Sequence, residues 1–144
     1  MKGRFYQLMA VLTVLPFLLA MGPLSGESSP DKIPVPTKKF TATFIDQTDV
    51  ITECRDVSIE GGTFIEGKRG EGTYAIPFEN IRSILMRMTD GKLKGLAMLH
   101  DGSTMELNLN KNQKSFGHTK YGTFQIRLED LKKMIIAEGQ KKRN

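Results

Sequence analysis

The stretch from Gly61 to Gly72, GGTFIEGKRGEG, holds the residue types that phosphate chemistry uses. Gly62, Gly67 and Lys68 satisfy G-x-x-x-x-G-K, the frame in which backbone N–H groups cradle a nucleotide and the lysine reaches its phosphates. Gly67-Lys68-Arg69-Gly70 also fits the G-x-x-G of a nucleic-acid clamp. Both readings fail on their surroundings. The nucleotide loop needs Ser or Thr after the lysine and then a helix; here Arg69 follows, and Thr73-Tyr74-Ala75-Ile76-Pro77 alternates as a strand and ends in proline. The clamp sits between helices, which this context does not offer. The glycines read instead as a loop feeding a strand.

A second basic stretch, Asn110 to Tyr121, carries Lys111, Lys114, Phe116, His118, Lys120 and Tyr121, a mixture suited to stacking on a sugar or base. With Lys68 and Arg69 these are the candidate partner-binding residues. Catalytic and metal chemistry find less support. His100 and His118 lack metal-ligand spacing, and no C-x-x-C-H is present for covalent haem, so no metal or cofactor is expected. Ser115 and His118 share a stretch, but neither a nucleophile elbow nor an orienting acid accompanies them, so no catalytic residue is assigned.

The elements that must carry these residues lie in the middle of the chain. Residues 1–26 have a basic head (Lys2, Arg4), an apolar run from Leu8 to Leu24 broken by Pro16, and then small polar residues. That order is expected of a signal peptide removed after export, the alternative being an anchor over residues 8–24. Residues 27–39, with Pro30, Pro34 and Pro36, read as an extended linker. Residues 139–144 form a basic tail whose Lys141, Lys142 and Arg143 suit peripheral contact with an anionic membrane.

The formal charge of +5 belongs mostly to those ends. Of the 21 basic residues, Lys2, Arg4, Lys141, Lys142 and Arg143 lie outside the body, leaving 16 against 16 acidic ones. A neutral body gives no argument for nucleic acid. The single cysteine, Cys54, excludes an internal disulfide, so a domain over 40–138 must be held by its core.

That domain contains two copies of one pattern, about 40–86 and 95–136. At an offset of 50, GTYAIPFENI (Gly72 to Ile81) lies over GTFQIRLEDL (Gly122 to Leu131), and Ile84-Leu85-Met86 over Met134-Ile135-Ile136. Upstream, an offset of 55 sets Asp46-Gln47 over the hairpin signal Asp101-Gly102 and Cys54 over core-facing Leu109. Tyr74, Ile76 and Phe78, like Phe124, Ile126 and Leu128, alternate toward one face. Glu79-Asn80 and Glu129-Asp130 supply side chains suited to capping backbone N–H groups. Ile81, Ile84 and Leu85, like Leu131, Met134 and Ile135, stand at i, i+3 and i+4, which allows either a strand or a short C-terminal helix over 128–138. The expected fold is mostly β: two antiparallel β repeats packed as a small barrel or sandwich.

A D-G hairpin, a strand of the form G-T-[FY]-x-I-x-[FL] and an E-[ND]-[IL] turn, as at Asp101-Gly102, Gly72 to Ile84 and Gly122 to Met134, resemble small SH3-like or Sm-like β modules of exported bacterial proteins. The resemblance covers residues 40 to 137 and implies a scaffold or partner-binding surface, without assigning any residue a role. The expected function is therefore an exported, non-catalytic β module that binds an envelope protein or polymer. A small envelope enzyme with a site between the repeats is the alternative. An Sm-like RNA-binding protein is third and requires a chain that is not exported; with export, no nucleic acid is expected.

Overall fold

A computed structural model of the chain describes residues 33–137. The expected signal peptide, the first residues of the linker and the basic tail with Lys141, Lys142 and Arg143 lie outside the described residues. Ile33 to Lys39 runs without strand or helix, with Pro36 buried.

Ten strands follow: β1 (Thr41–Asp46), β2 (Ile51–Ile59), β3 (Phe64–Arg69), β4 (Gly72–Pro77), β5 (Ile81–Thr89), β6 (Lys92–Leu99), β7 (Thr104–Leu109), β8 (Lys114–Thr119), β9 (Gly122–Arg127) and β10 (Leu131–Ile136). All belong to one antiparallel sheet, ordered β4-β3-β7-β6-β5-β10-β1-β2-β8-β9, which curls into a half-barrel. The first copy supplies β1 to β5 and the second β6 to β10. Replacing each strand by its equivalent in the other copy reverses the order and leaves it unchanged. The sheet thus has an internal pseudo-twofold between β5 and β10.

The copies do not fold side by side. The β3–β4 hairpin of the first copy pairs with β7 of the second, and the β8–β9 hairpin of the second pairs with β2 of the first. Two five-stranded units result. One runs continuously from β3 to β7; the other is built from β1 and β2 together with β8, β9 and β10. The crossing connections are tied to each other, because the N–H of Glu60 donates to the Lys114 carbonyl at 2.9 Å and the N–H of Lys114 to Glu60 Oε1 at 2.7 Å.

The side chains explain the strands. Inner rows of both units, among them Phe44, Ile65, Ile84, Leu93, Leu107 and Met134, meet in one core. In the discontinuous unit Phe44 of β1 packs on Phe124 of edge strand β9, ring centroids 5.6 Å apart. The other unit has Ala97 at the position of Phe44, so Tyr74, expected to face inward, has no ring to meet and stays exposed.

Local expectations change as follows. Within 128–137 the strand alternative holds and no α-helix forms: Leu128–Asp130 is a single 3₁₀ turn leading into β10, just as Phe78–Asn80 leads into β5. The helix-like spacing arises from bulges. The register skips Arg82 in β5 and Lys132 in β10, which converts a period of two into a gap of three. Neither turn has a side-chain cap; Glu79 pairs with Lys38 and Glu129 with Arg127 instead.

The first hairpins of the two copies correspond at an offset of 53, not 55. Asp46 N–H donates to Val50 as Leu99 N–H does to Ser103, and positive φ falls on Asp49 and on Gly102. Cys54 therefore shares the register of Leu107, and a bulge at Asp56 lets Val57 take the place of Leu109. Cys54 is core, as expected, and burial pushes its thiol up to about 11.

The two glycine-flanked stretches are not loops. Each is a strand and a tight turn, β3 into β4 and β8 into β9. The turn at Asp90-Gly91, with φ of 50° and 75°, joins β5 to β6 and so joins the copies without a linker.

Candidate functional site

Gly67 and Gly117 fix where the hairpins sit. A β-carbon on Gly67 would lie 2.7 Å from Leu107 Cβ, and one on Gly117 would lie 2.7 Å from Cys54 Cβ. Only glycine allows each hairpin to lie this close to its neighbouring strand. Because side chains alternate, the residue after each glycine, Lys68 or His118, then points to the outer face.

On the continuous unit this creates a cleft of ≈ 630 Å³ in which Lys68 of β3, Lys92 of β6 and Lys111 from the β7–β8 connection come together. Thr73, Asn108, Asn110 and Gln113 add hydroxyl and amide groups, Glu66 adds a carboxylate, and Leu93 and Leu109 supply apolar atoms. The two basic stretches, some forty residues apart in the chain, thus share one site. The exchanged hairpin achieves this, since β3 belongs to one copy and Asn108 to the other.

The discontinuous unit has a related cleft of ≈ 450 Å³, lined by Arg55, His118, Lys120, Glu53 and Cys54. His118 occupies the place of Lys68 and Arg55 that of Asn108. The remaining sequence candidates are dispersed. Arg69 is exposed at the end of β3, Lys114 is half-buried at the start of β8, and Tyr121 is exposed at the tip of the β8–β9 turn with the Lys120 ammonium 4.9 Å from its ring centroid. Phe116, opposite Ser58 and Gln125 in the sheet register, is buried, so it cannot stack on a ligand; this corrects the expectation from its basic neighbours.

The Ser115–His118 pairing does not form on one face. Ser115 is buried, with its hydroxyl donating to the Ser58 carbonyl at 2.8 Å, whereas His118 stands three residues on, on the outer row. Among the described residues no group of three His, Cys, Asp or Glu side chains is placed to hold a metal.

The perturbed carboxylates are structural. The Thr48 hydroxyl, with the backbone N–H of Val50, holds Asp46 below the usual carboxylate range, and the Ser103 hydroxyl and N–H do so for Asp101. Lys38 does the same for Glu79. The sequence reading missed Lys92, Asn108 and Gln113. The alternation of β7 marks the face of Asn108, but only the strand order shows that it adjoins Lys68 and Lys92.

No curated protein and no solved structure matches this chain. A family model does match, over residues 36–139, a span that takes in the whole ten-stranded sheet; the chain belongs to that family, whose description reads "Uncharacterised protein".

Proposed function

We propose that this protein is a non-catalytic β module that is exported and binds a partner protein or polymer of the cell envelope. The observation that carries this reading is the convergence of Lys68 from one copy with Lys92 and Lys111 from the other on one cleft whose other polar groups are amides, a hydroxyl and a single carboxylate. Such groups donate and accept hydrogen bonds and attract anionic groups, which suits recognition. The resemblance of the repeated hairpin, strand and turn motifs to SH3-like or Sm-like modules agrees with a binding surface, and the apolar run before residue 26 agrees with export. A neutral body weighs against RNA.

Fractionation of the protein's own cells tests this reading. The expected result is a chain lacking its first residues, recovered from the envelope, with a partner retained after cross-linking in intact cells. A full-length cytosolic protein would remove the export half of the reading; a catalytic turnover abolished by Ser115→Ala or His118→Ala would remove the other.

A further inference from the structure

The register places a basic row across the outer face of the continuous unit. Thr73 is opposite Lys68, Lys68 opposite Asn108, Asn108 opposite Lys94, and Lys94 opposite Arg87, so the row crosses β4, β3, β7, β6 and β5 in turn. At strand spacings of about 4.8 Å it extends roughly 19 Å. Lys92 and Lys111 flank it.

Two features set this row apart from an ordinary solvated face. Lys94 and Arg87 are directly opposed like charges, an arrangement that costs stability in a sheet. Only Lys94 has an ion-pair partner among the described residues, Glu106 at 3.4 Å; Lys68, Arg87, Lys92 and Lys111 have none there.

The second feature is an internal control. The other unit folds the same strands in the same order, yet at the positions of Lys68, Asn108, Lys94 and Arg87 it carries His118, Arg55, Thr41 and Ala137. The fold therefore does not require the basic row.

We infer that this row binds an anionic glycan chain lying across the strands. This rests on the binding-module reading above and supplies its ligand class. The cations answer carboxylate or sulfate groups, and Thr73, Asn108, Asn110 and Gln113 answer hydroxyls. The apolar atoms of Leu93 and Leu109 suit the C–H faces of sugar rings. A single-stranded nucleic acid would need aromatic side chains for its bases; none lies on the row, for Phe64 stands four residues from Lys68 at the start of β3, Tyr74 alternates to the opposite face from Thr73, Phe116 is buried, and Tyr121 belongs to the other unit.

The test is binding of the purified protein, in the form recovered from cells, to polygalacturonate, to heparin, to oligo-deoxythymidine, to neutral dextran and to vesicles containing anionic lipid. Binding is expected to one or both anionic glycans, weakening with salt, and not to dextran. The variant Lys94→Thr/Arg87→Ala, which installs the other unit's residues, is expected to bind about tenfold or more weakly and to lower the salt slope by about two. Lys39→Gln, remote from the row, is expected to bind as the parent does.

Unfolding midpoints no lower than the parent's certify that the variants fold. No binding to either glycan, equal binding by the double variant, or tighter binding to oligo-deoxythymidine or vesicles through the same residues would overturn the inference. A null result with both glycans, alongside a partner still cross-linked in cells, would sink the ligand class and leave the binding-module reading standing.

Discussion

Gly117 lies so close to Cys54 that a β-carbon on it would stand 2.7 Å from Cys54 Cβ, and Gly67 bears the same relation to Leu107 on the opposite side of the pseudo-twofold. These contacts seat the two exchanged hairpins. Gly67→Ala and Gly117→Ala should each destabilise the fold by about 1–3 kcal/mol, the range for overpacking a filled core. Urea unfolding would show it as a lower midpoint, with Gly67 the more sensitive because the Asn108 carbonyl also stands 3.0 Å from the added carbon.

Because both units share one core, they should unfold together. Phe40 precedes β1, yet its ring meets Phe78 of the continuous unit edge-on at 5.6 Å and 86°. Phe40→Ala and Phe78→Ala should each cost about 3–5 kcal/mol. Circular dichroism and calorimetry on either variant should report one transition; two transitions would show that the units are independent.

Cys54 should be chemically silent. With its thiol raised to about 11 by burial, little thiolate exists at neutral pH and none is reachable. A thiol reagent at pH 8 should leave the native protein unlabelled and label it fully in denaturant. The same shift has a stability consequence of defined sign. The unfolded thiol ionises near 9.0 and the folded one near 11, so the unfolded state gains between those values and stability falls as pH rises through them. Cys54→Ala should flatten that alkaline limb.

Asp46 and Asp101 predict the acid limb. Each carboxylate accepts from the residue two positions on, Asp46 from Thr48 N–H and Oγ1, both at 2.8 Å, and Asp101 from Ser103 N–H at 2.8 Å and the Ser103 hydroxyl at 2.5 Å. Their folded values are lowered from 3.8, so this stabilisation is complete above the ordinary carboxylate range and is lost as pH falls below it through the depressed values. Asp46→Ala/Asp101→Ala should be less stable than the parent at pH 7 and should approach it near pH 2. Chemical denaturation across that range is the measurement.

Much of this architecture is written in local pattern. The repeated G-T-[YF]-x-I strand, the Asp101-Gly102 turn and the burial of Cys54 all follow from alternation and turn chemistry. Asp90-Gly91 carries an equally plain turn signal, yet the repeat boundaries passed over it as a gap between copies. The bulges at Arg82 and Lys132 hid two strands, because skipping one residue makes an alternating row imitate a helical one. The hairpin exchange had no local signature. β3 presents the same inner row, Ile65 and Gly67, whether it pairs with β2 or with β7, so the choice is made by packing between distant segments. The candidate site inherits that division: Lys68 and Lys111 stood out as basic residues beside glycine or polar turns, while Lys92, Lys94 and Arg87 joined them only through strand order.

The most direct test of the account is photo-cross-linking in intact cells with a photoreactive residue placed at Lys68, at Lys111 and, as a comparison on the other unit, at Glu53. The account predicts the same species captured from Lys68 and Lys111 and absent from Glu53. Different species at Lys68 and Lys111, or equal capture at all three, would contradict a shared cleft as the binding site.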